Sequence, residues 1–406
     1  MKKKIKVAVI FDQKLKSGGG YQQAINASVL ISKINLKFSE ITFYSLFKKN
    51  INILEQKNIK VNFLKINIFE KFLIFLKTSP RFELIHQLMK IFVPINIFEN
   101  KLRKENIDLV YFVSPSRLAL ELKNINFIFT IWDLCHRDNP EFPEVKKDNQ
   151  FQLRENIYNQ VLPRASAVIV DSQAGKKNLV KRYLIDQERV YVIPFEPSMS
   201  IRDFSGELSN KVFELIQYNL NCPYLFYPAQ YWPHKNHVYI LEGIKQLESI
   251  FSQKINAIFT GSDKGNLDYI KKYAANLGLS ERIYFLDFVS DQEIIDLYKS
   301  SLALVMPSYF GPTNLPPLEA FCLGVPVLYP DLYGMREQVS GAGLLINLAE
   351  PSSMAIQINK LIKYPSIRED LIKAGKKIYS ENSQGKRELI LEKILKNFYF
   401  RRKCWE

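Results

Sequence analysis

From Ile5 onward, short β-branched and aromatic runs alternate with segments of helical period, and after an irregular stretch the alternation starts afresh near residue 224. That repeated pattern constrains the chain more than any other feature. Consecutive parallel strands need long crossovers, and helical crossovers cover a sheet on both faces, so strand and helix in strict alternation specify an α/β fold. Strands are expected near 5–11, 41–46, 61–66, 107–113, 126–132, 167–171 and 190–194. A second set follows near 224–229, 256–261, 282–288, 302–306, 325–329 and 343–348. Pro194 and Pro197 break the pattern between the sets. Residues 1–196 and 197–384 therefore read as two doubly wound Rossmann-like domains. A last helix, 385–403, has apolar positions Leu389, Leu391, Ile394, Leu395 and Phe398 and lies too far along to belong to the second sheet. Open parallel sheets bind ligands at the carboxyl ends of their strands, so tandem domains of this kind are expected to face a cleft.

With 406 residues the chain has ample material for two cores, and 47% hydrophobic with 24% charged residues is ordinary globular usage. The net charge of +15 is uneven: residues 1–200 carry 32 basic and 19 acidic side chains, the remainder 24 and 22. The basic residues lie among Phe, Ile and Leu rather than in an Arg-rich or RNA-binding arrangement, which argues against a nucleic-acid partner. Cys135, Cys222, Cys322 and Cys404 are far apart and fit neither a zinc site nor a disulfide framework, so a reducing cytoplasm and no metal are expected. The run Val7–Phe11 is stopped by Asp12, too short for a secretory leader, and no apolar stretch reaches the length of a membrane span.

Four segments carry candidate chemistry. Gly18, Gly19 and Gly20 follow the first strand and lead into a helix near Tyr21, so the backbone there is either a flexible turn or a close approach to a phosphate or sugar. Gln23 breaks the G-x-G-x-x-G dinucleotide spacing. Thr130 to Glu144 gathers Trp132, Asp133, His136, Arg137 and Asp138 after the fifth strand. This is either a polar site, with Asp133 and His136 facing a substrate hydroxyl, or a solvated loop. Lys235, beside the natural cap Asn236 at the start of a helix, either faces a diphosphate or is a solvated charge. In the segment from Met306 to Val327, Pro316 and Pro317 open a helix whose first turn holds Glu319, a carboxylate that either accepts two ribose hydroxyls or complements the helix dipole.

The block Leu315-Pro-Pro-Leu-Glu-Ala320 resembles the retaining glycosyltransferases of family 4, which have the GT-B fold. Phe226–Asn236, Ala165–Ser172 with Arg189–Pro194, and Phe259–Ser262 share the likeness, which runs from Val7 to about residue 380. The resemblance implies a nucleoside-diphosphate sugar held mainly by the second domain and an acceptor held mainly by the first. It also implies that the helix within 385–406 crosses back to the first domain. Carried over by position, Lys235 covers the leaving diphosphate and Glu319 binds the ribose, with Gly19, Gly20, Gln230, Gly261, Gly311, Thr313, Asn314 and Leu315 around the donor. Two positions depart from the family. Gly311 stands where a glutamate touches the donor sugar, so that contact is expected from backbone N–H groups around Thr313 and Asn314, another side chain or water. Gln230 stands where an arginine shares the diphosphate with the lysine. Trp132-Asp133 also replaces a frequent His-Asp pair.

The expected activity is metal-independent, retaining transfer of a hexose, without a cofactor, to a hydroxyl of a lipid-linked or surface-polysaccharide acceptor. The rivals are a nucleotide-sugar epimerase and a noncatalytic sugar-binding scaffold. The +13 of the first 200 residues, and the aromatic and basic residues of 67–104, further predict contact with an anionic membrane surface, placing the protein at the inner face of the plasma membrane.

Overall fold

The structure, a computed structural model, describes residues 4–15, 18–34, 36–79, 96–209, 223–381 and 384–405. It divides into two compact units. The first comprises Met1–Pro140, Val145–Pro194 and Gln384–Glu406; the second comprises Glu141–Glu144 and Phe195–Ser383. A single break at 196/197 therefore misses Glu141–Glu144, which packs with the second unit.

In the first unit β1 (Ile5–Phe11), β2 (Ser39–Ser45), β3 (Val61–Phe63), β4 (Leu109–Phe112), β5 (Asn126–Thr130), β6 (Ala167–Val170) and β7 (Val190–Val192) form one parallel sheet. Its order is β3-β2-β1-β4-β5-β6-β7. Strand β1 lacks a polar face because helices cover both sides of the sheet: every residue from Val7 to Phe11 is buried. The crossovers run one way from β1 to β2 and β3 and the other way from β4 onward. The order thus reverses between β1 and β4.

The second unit repeats the plan with β8 (Tyr224–Pro228), β9 (Asn256–Thr260), β10 (Ile283–Leu286), β11 (Ala303–Val305), β12 (Val327–Pro330) and β13 (Gly343–Ile346). Its order is β10-β9-β8-β11-β12-β13, all parallel, with the reversal between β8 and β11.

The helix Gln384–Arg402 belongs to the first unit and packs against the helix Gly19–Ser32. Leu391, Ile394, Leu395 and Phe398 are buried there, Tyr399 stacks on Phe38 at 4.4 Å, and Arg402 pairs with Asp108 at 3.0 Å. Leu389, counted with the apolar positions in the sequence, is 65% exposed. Among the described residues no helix is long and apolar enough to cross a membrane.

Candidate active site

The carboxyl ends of β8 and β11 meet at the reversal of the second sheet, the place where an open α/β sheet leaves a crevice for a ligand. Past β8, the chain makes a 3-10 turn, Pro233–Lys235, and enters the helix His237–Phe251. Tyr227 donates its hydroxyl to the Lys235 carbonyl at 3.0 Å, fixing the turn from within the sheet. Asn236 is the helix N-cap in the left-handed region (φ 53°), and its side chain makes no capping bond. The reading of Asn236 as a side-chain cap is thereby corrected: the backbone turn, not the amide, starts the helix and sets Lys235 one residue ahead of its N-cap.

Past β11, the loop to the helix Leu315–Leu323 is tied to the first loop directly. Tyr309 donates its N–H to the His234 carbonyl at 2.9 Å, and Phe310 stacks on the His234 ring at 4.0 Å. Glu144 completes this group, accepting from the His234 N–H at 3.1 Å and pairing with Nδ1 of the same ring, while Phe142 packs edge-on against Phe310. Burial works to raise the Glu144 carboxyl, but the bonds from His234 outweigh it and hold the group below the usual carboxylate range. This cluster escaped the sequence reading because 90 residues separate Glu144 from His234.

The loop itself is built without an acidic side chain. Gly311 has φ 96°, and a Cβ there would lie 2.8 Å from the Thr313 carbonyl oxygen. Asn314 is clamped on three sides: its N–H donates to Gln338 Oε1 at 2.9 Å, its carbonyl accepts from Gln338 Nε2 at 2.6 Å, and its own amide donates to Tyr329 at 2.7 Å. The expectation that the Asn314 N–H meets the donor sugar is corrected on this point, since Gln338 already takes that hydrogen. Pro316 and Pro317 bring no amide hydrogen and the Leu318 N–H makes the first bond within the helix, so the first turn offers an N–H group only at Leu315. Glu319 is the fifth residue of the helix, so it lies beyond the first turn in which the sequence reading placed it. Its Oε2 accepts from the Tyr298 hydroxyl at 2.8 Å. Burial raises the Glu319 carboxyl to about 7 against the opposing pull of Tyr298.

Two further residues that the resemblance assigns to the donor belong to the same unit. Gly261 follows β9, where a Cβ would come within 2.5 Å of the Ala229 carbonyl oxygen, so only glycine admits this approach. Gln230 accepts from the Trp232 indole at 3.1 Å.

The remaining candidates belong to the first unit. Its glycine-led helix starts at Gly19, two residues before the expected Tyr21, and Gly20 lies against the Trp132 ring, which a Cβ would approach to 2.6 Å. Asp133 is paired with Arg154 at 2.6 Å; burial would raise it, but the guanidinium wins and brings it down to about 2. His136 does not face a substrate. Its side chain is fully buried, Nε2 pairs with Glu155 at 2.7 Å, and the ring packs edge-on against Phe151 and Tyr158. Burial first, then the Arg154 charge, lowers it to about 4, which leaves a neutral imidazole in the core. The catalytic reading of His136 is corrected accordingly: it shares Glu155 with Arg137 and Tyr183 in a structural network.

Family models match both units: "Glycosyltransferase Family 4" over residues 72–194 and "Glycosyl transferases group 1" over 213–378. The chain is 27% identical over 205 residues, half of its length, to the "O-antigen chain mannosyltransferase RfbU" of Salmonella typhimurium. It is 23% identical over 235 residues, 54% of its length, to the "D-inositol 3-phosphate glycosyltransferase" of Salinispora arenicola. The chain spans about half the length of these relatives, 52% of each. Among solved structures, Anabaena Alr3699/HepE in complex with UDP and glucose aligns at a TM-score of 0.71 and 18% identity, over 97% of this chain and all of that one. The sucrose-phosphate synthase of Thermosynechococcus elongatus aligns at 0.72 and 15% identity, over 98% and 100%. Two doubly wound sheets, a family model on each, and fold neighbours across nearly the whole length lead to one assignment: the chain belongs to the family 4 glycosyltransferases and has the GT-B fold.

Proposed function

We propose that the protein is a retaining, metal-independent glycosyltransferase that moves a hexose from a nucleoside-diphosphate sugar to a hydroxyl of a lipid-linked or surface-polysaccharide acceptor. The observation that carries this reading is the position of Lys235, immediately ahead of the N-terminus of the helix His237–Phe251 at the reversal of the second sheet. An ammonium beside helix N-terminal N–H groups suits a leaving diphosphate, whose charge grows as the bond to the sugar breaks. Glu319 has one carboxylate oxygen taken by Tyr298, and its other oxygen is assigned to the ribose. Gln230, Gly261 and the loop Gly311–Leu315 complete the donor site.

As the bond between the anomeric carbon and the phosphate oxygen breaks, the acceptor hydroxyl bonds to that carbon from the same face, and the departing phosphate oxygen takes the hydroxyl proton. No carboxylate nucleophile is required. Asp133, ion-paired with Arg154, suits an orienting role better than covalent attack. The names of the relatives support a surface-glycan acceptor, and the UDP complexes of the fold neighbours support a nucleotide-sugar donor. The test is stereochemical: the anomeric proton of the product, followed by NMR in EDTA, should keep the donor's configuration at undiminished rate. Inversion, or loss of turnover in EDTA that added metal restores, would overturn the mechanism.

The same proposal sets the first unit at an anionic membrane. The helix Ile68–Thr78 buries Ile74 but leaves Ile68, Phe69, Phe72 and Phe75 exposed. Lys71 lies 5.7 Å from the Phe47 ring, and Arg117 lies 5.2 Å from Phe75. Exposed aromatic rings bordered by cations match the boundary between headgroups and acyl chains. Residues 80–95 of the stretch 67–104, Arg81 and Lys90 among them, lie outside the described residues.

A further inference from the structure

His234, the residue beside Lys235, is where three stretches of the second unit join. The chain leaves the first unit after Pro140 and rejoins it at Val145, and the four residues between, Glu141–Glu144, pack with the second. The last of them, Glu144, accepts from the His234 N–H at 3.1 Å and pairs with Nδ1 of its ring. The His234 carbonyl accepts from the Tyr309 N–H at 2.9 Å, and the ring lies flat on Phe310, 4.0 Å away and 8° from parallel. Phe310 is set in turn by the buried Ser308, whose hydroxyl oxygen accepts the Phe310 N–H at 3.2 Å. Phe142, two residues before Glu144, packs on Tyr309 at 5.4 Å and on Phe310 at 5.2 Å. His234 thus commits both backbone polar groups and its ring to partners outside its own turn, and the Lys235 turn is fixed to the loop that carries Gly311.

Stability alone does not account for a carboxylate at this junction. Only 10% of the Glu144 side chain and 11% of the His234 side chain are exposed. Withdrawing such a pair from water offsets most of what its attraction gains, and the best attested use of a buried pair is to fix one register among several. The offset is visible here, because Glu144 Oε2 is buried with no protein partner. What the carboxylate adds is a single oxygen, Oε1, that meets both the backbone N–H and the ring Nδ1 of one residue. That double contact sets the path of the turn and the angle of the ring on Phe310 together.

We propose that Glu144, acting through His234, is a positioning residue that holds the Lys235 turn in register with the loop Phe310–Leu315, so that the donor's diphosphate meets both. The role rests on the donor-site reading above; the junction rests on the contacts of His234. Two readouts on the full chain test it. Histidine-selective 15N labelling reports the pair without any nucleotide, since the sequence holds four histidines. The His234 ring and amide signals, identified by His234→Gln, should shift in Glu144→Ala and return toward the wild-type position in Glu144→Gln, which keeps an oxygen for the His234 N–H. Unmoved His234 signals in Glu144→Ala would overturn the junction. Single-turnover release of nucleoside diphosphate from UDP-, GDP- and ADP-sugars then reads the consequence. Glu144→Ala should cut the rate about tenfold or more where Lys235 is present. In the Lys235→Ala protein the same change should cut it by less than about twofold, because the lysine it positions is gone. Equal cuts in the two backgrounds would overturn the proposal, since a purely structural residue acts alike in both. Should Glu144→Ala fail to fold, Glu144→Asp, which keeps the charge and withdraws it by one methylene, carries the same cycle with the same expectation. Turnover of no donor by the wild type, with the His234 signals still answering to Glu144, would reject the transferase reading and this role with it; equal cuts in an active enzyme would reject the role alone.

Discussion

If Glu319 binds the donor as proposed, donor binding depends on pH in a direction its burial defines. Its carboxyl titrates near 7 in the folded chain, above the ordinary 4.5, because burial disfavours the charge. A raised carboxyl pKa means the folded state binds the proton more tightly than the unfolded one. Glu319 therefore costs stability as pH rises from about 4.5 through 7, whereas its ionised form is the better acceptor of ribose hydroxyls. Donor affinity should rise by about tenfold between pH 6 and pH 8. In Glu319→Gln it should be weaker at pH 8, by roughly 1.5–3 kcal/mol for a charged hydrogen bond, and flat with pH. Calorimetric titration across that range checks both; an unchanged affinity in the Glu319→Gln protein would reduce Glu319 to a core residue. His136 teaches the complementary lesson about single residues. Sequence placed it in a dense polar segment, and that much holds, since Asp133, His136 and Arg137 are all engaged. Which way the ring faces depended on Glu155, a helix away, and on Phe151 and Tyr158 closing over it, contacts that no local spacing encodes.

At the scale of elements the reading from sequence succeeded where the physics is local. Among the described residues all thirteen strands overlap the expected segments, because β-branched runs between polar turns have few alternatives in an alternating chain. The final helix was legible from its period as well, apart from Leu389. Loops were legible in composition but not in hydrogen bonding: that Gln338 clamps Asn314 across 24 residues follows only from the packing of β12 and the helix after it. Gly311 shows how far that clamp constrains the element. Its φ of 96° and the nearby Thr313 carbonyl mean that any side chain must push the loop out of its present path. Gly311→Glu should therefore lower donor turnover rather than restore a missing contact, measured as nucleoside-diphosphate release at saturating donor. A faster variant would show that the loop yields and only the side chain was lacking.

For the whole molecule the uneven charge has a physical consequence. The first 200 residues carry 13 more basic than acidic side chains, and the exposed rings of the helix Ile68–Thr78 lie in that half of the chain. Co-sedimentation with vesicles should increase with the anionic lipid fraction and fall between about 50 mM and 500 mM salt, because screening acts on each cation separately. Phe69→Ser with Phe72→Ser should lower binding at every lipid composition; full binding by that variant, or none by the wild type at low salt, contradicts a membrane-facing helix. The central claim concerns the other half of the chain, where Lys235 covers a leaving diphosphate. The most direct measurement is nucleoside-diphosphate release from a panel of UDP-, GDP- and ADP-sugars by wild-type protein and by Lys235→Ala at saturating donor. At least one donor should be turned over by the wild type, and the substitution should cut its rate by roughly 10²–10³-fold with the fold intact. Turnover of no donor, or an equal rate in both proteins, would contradict the account.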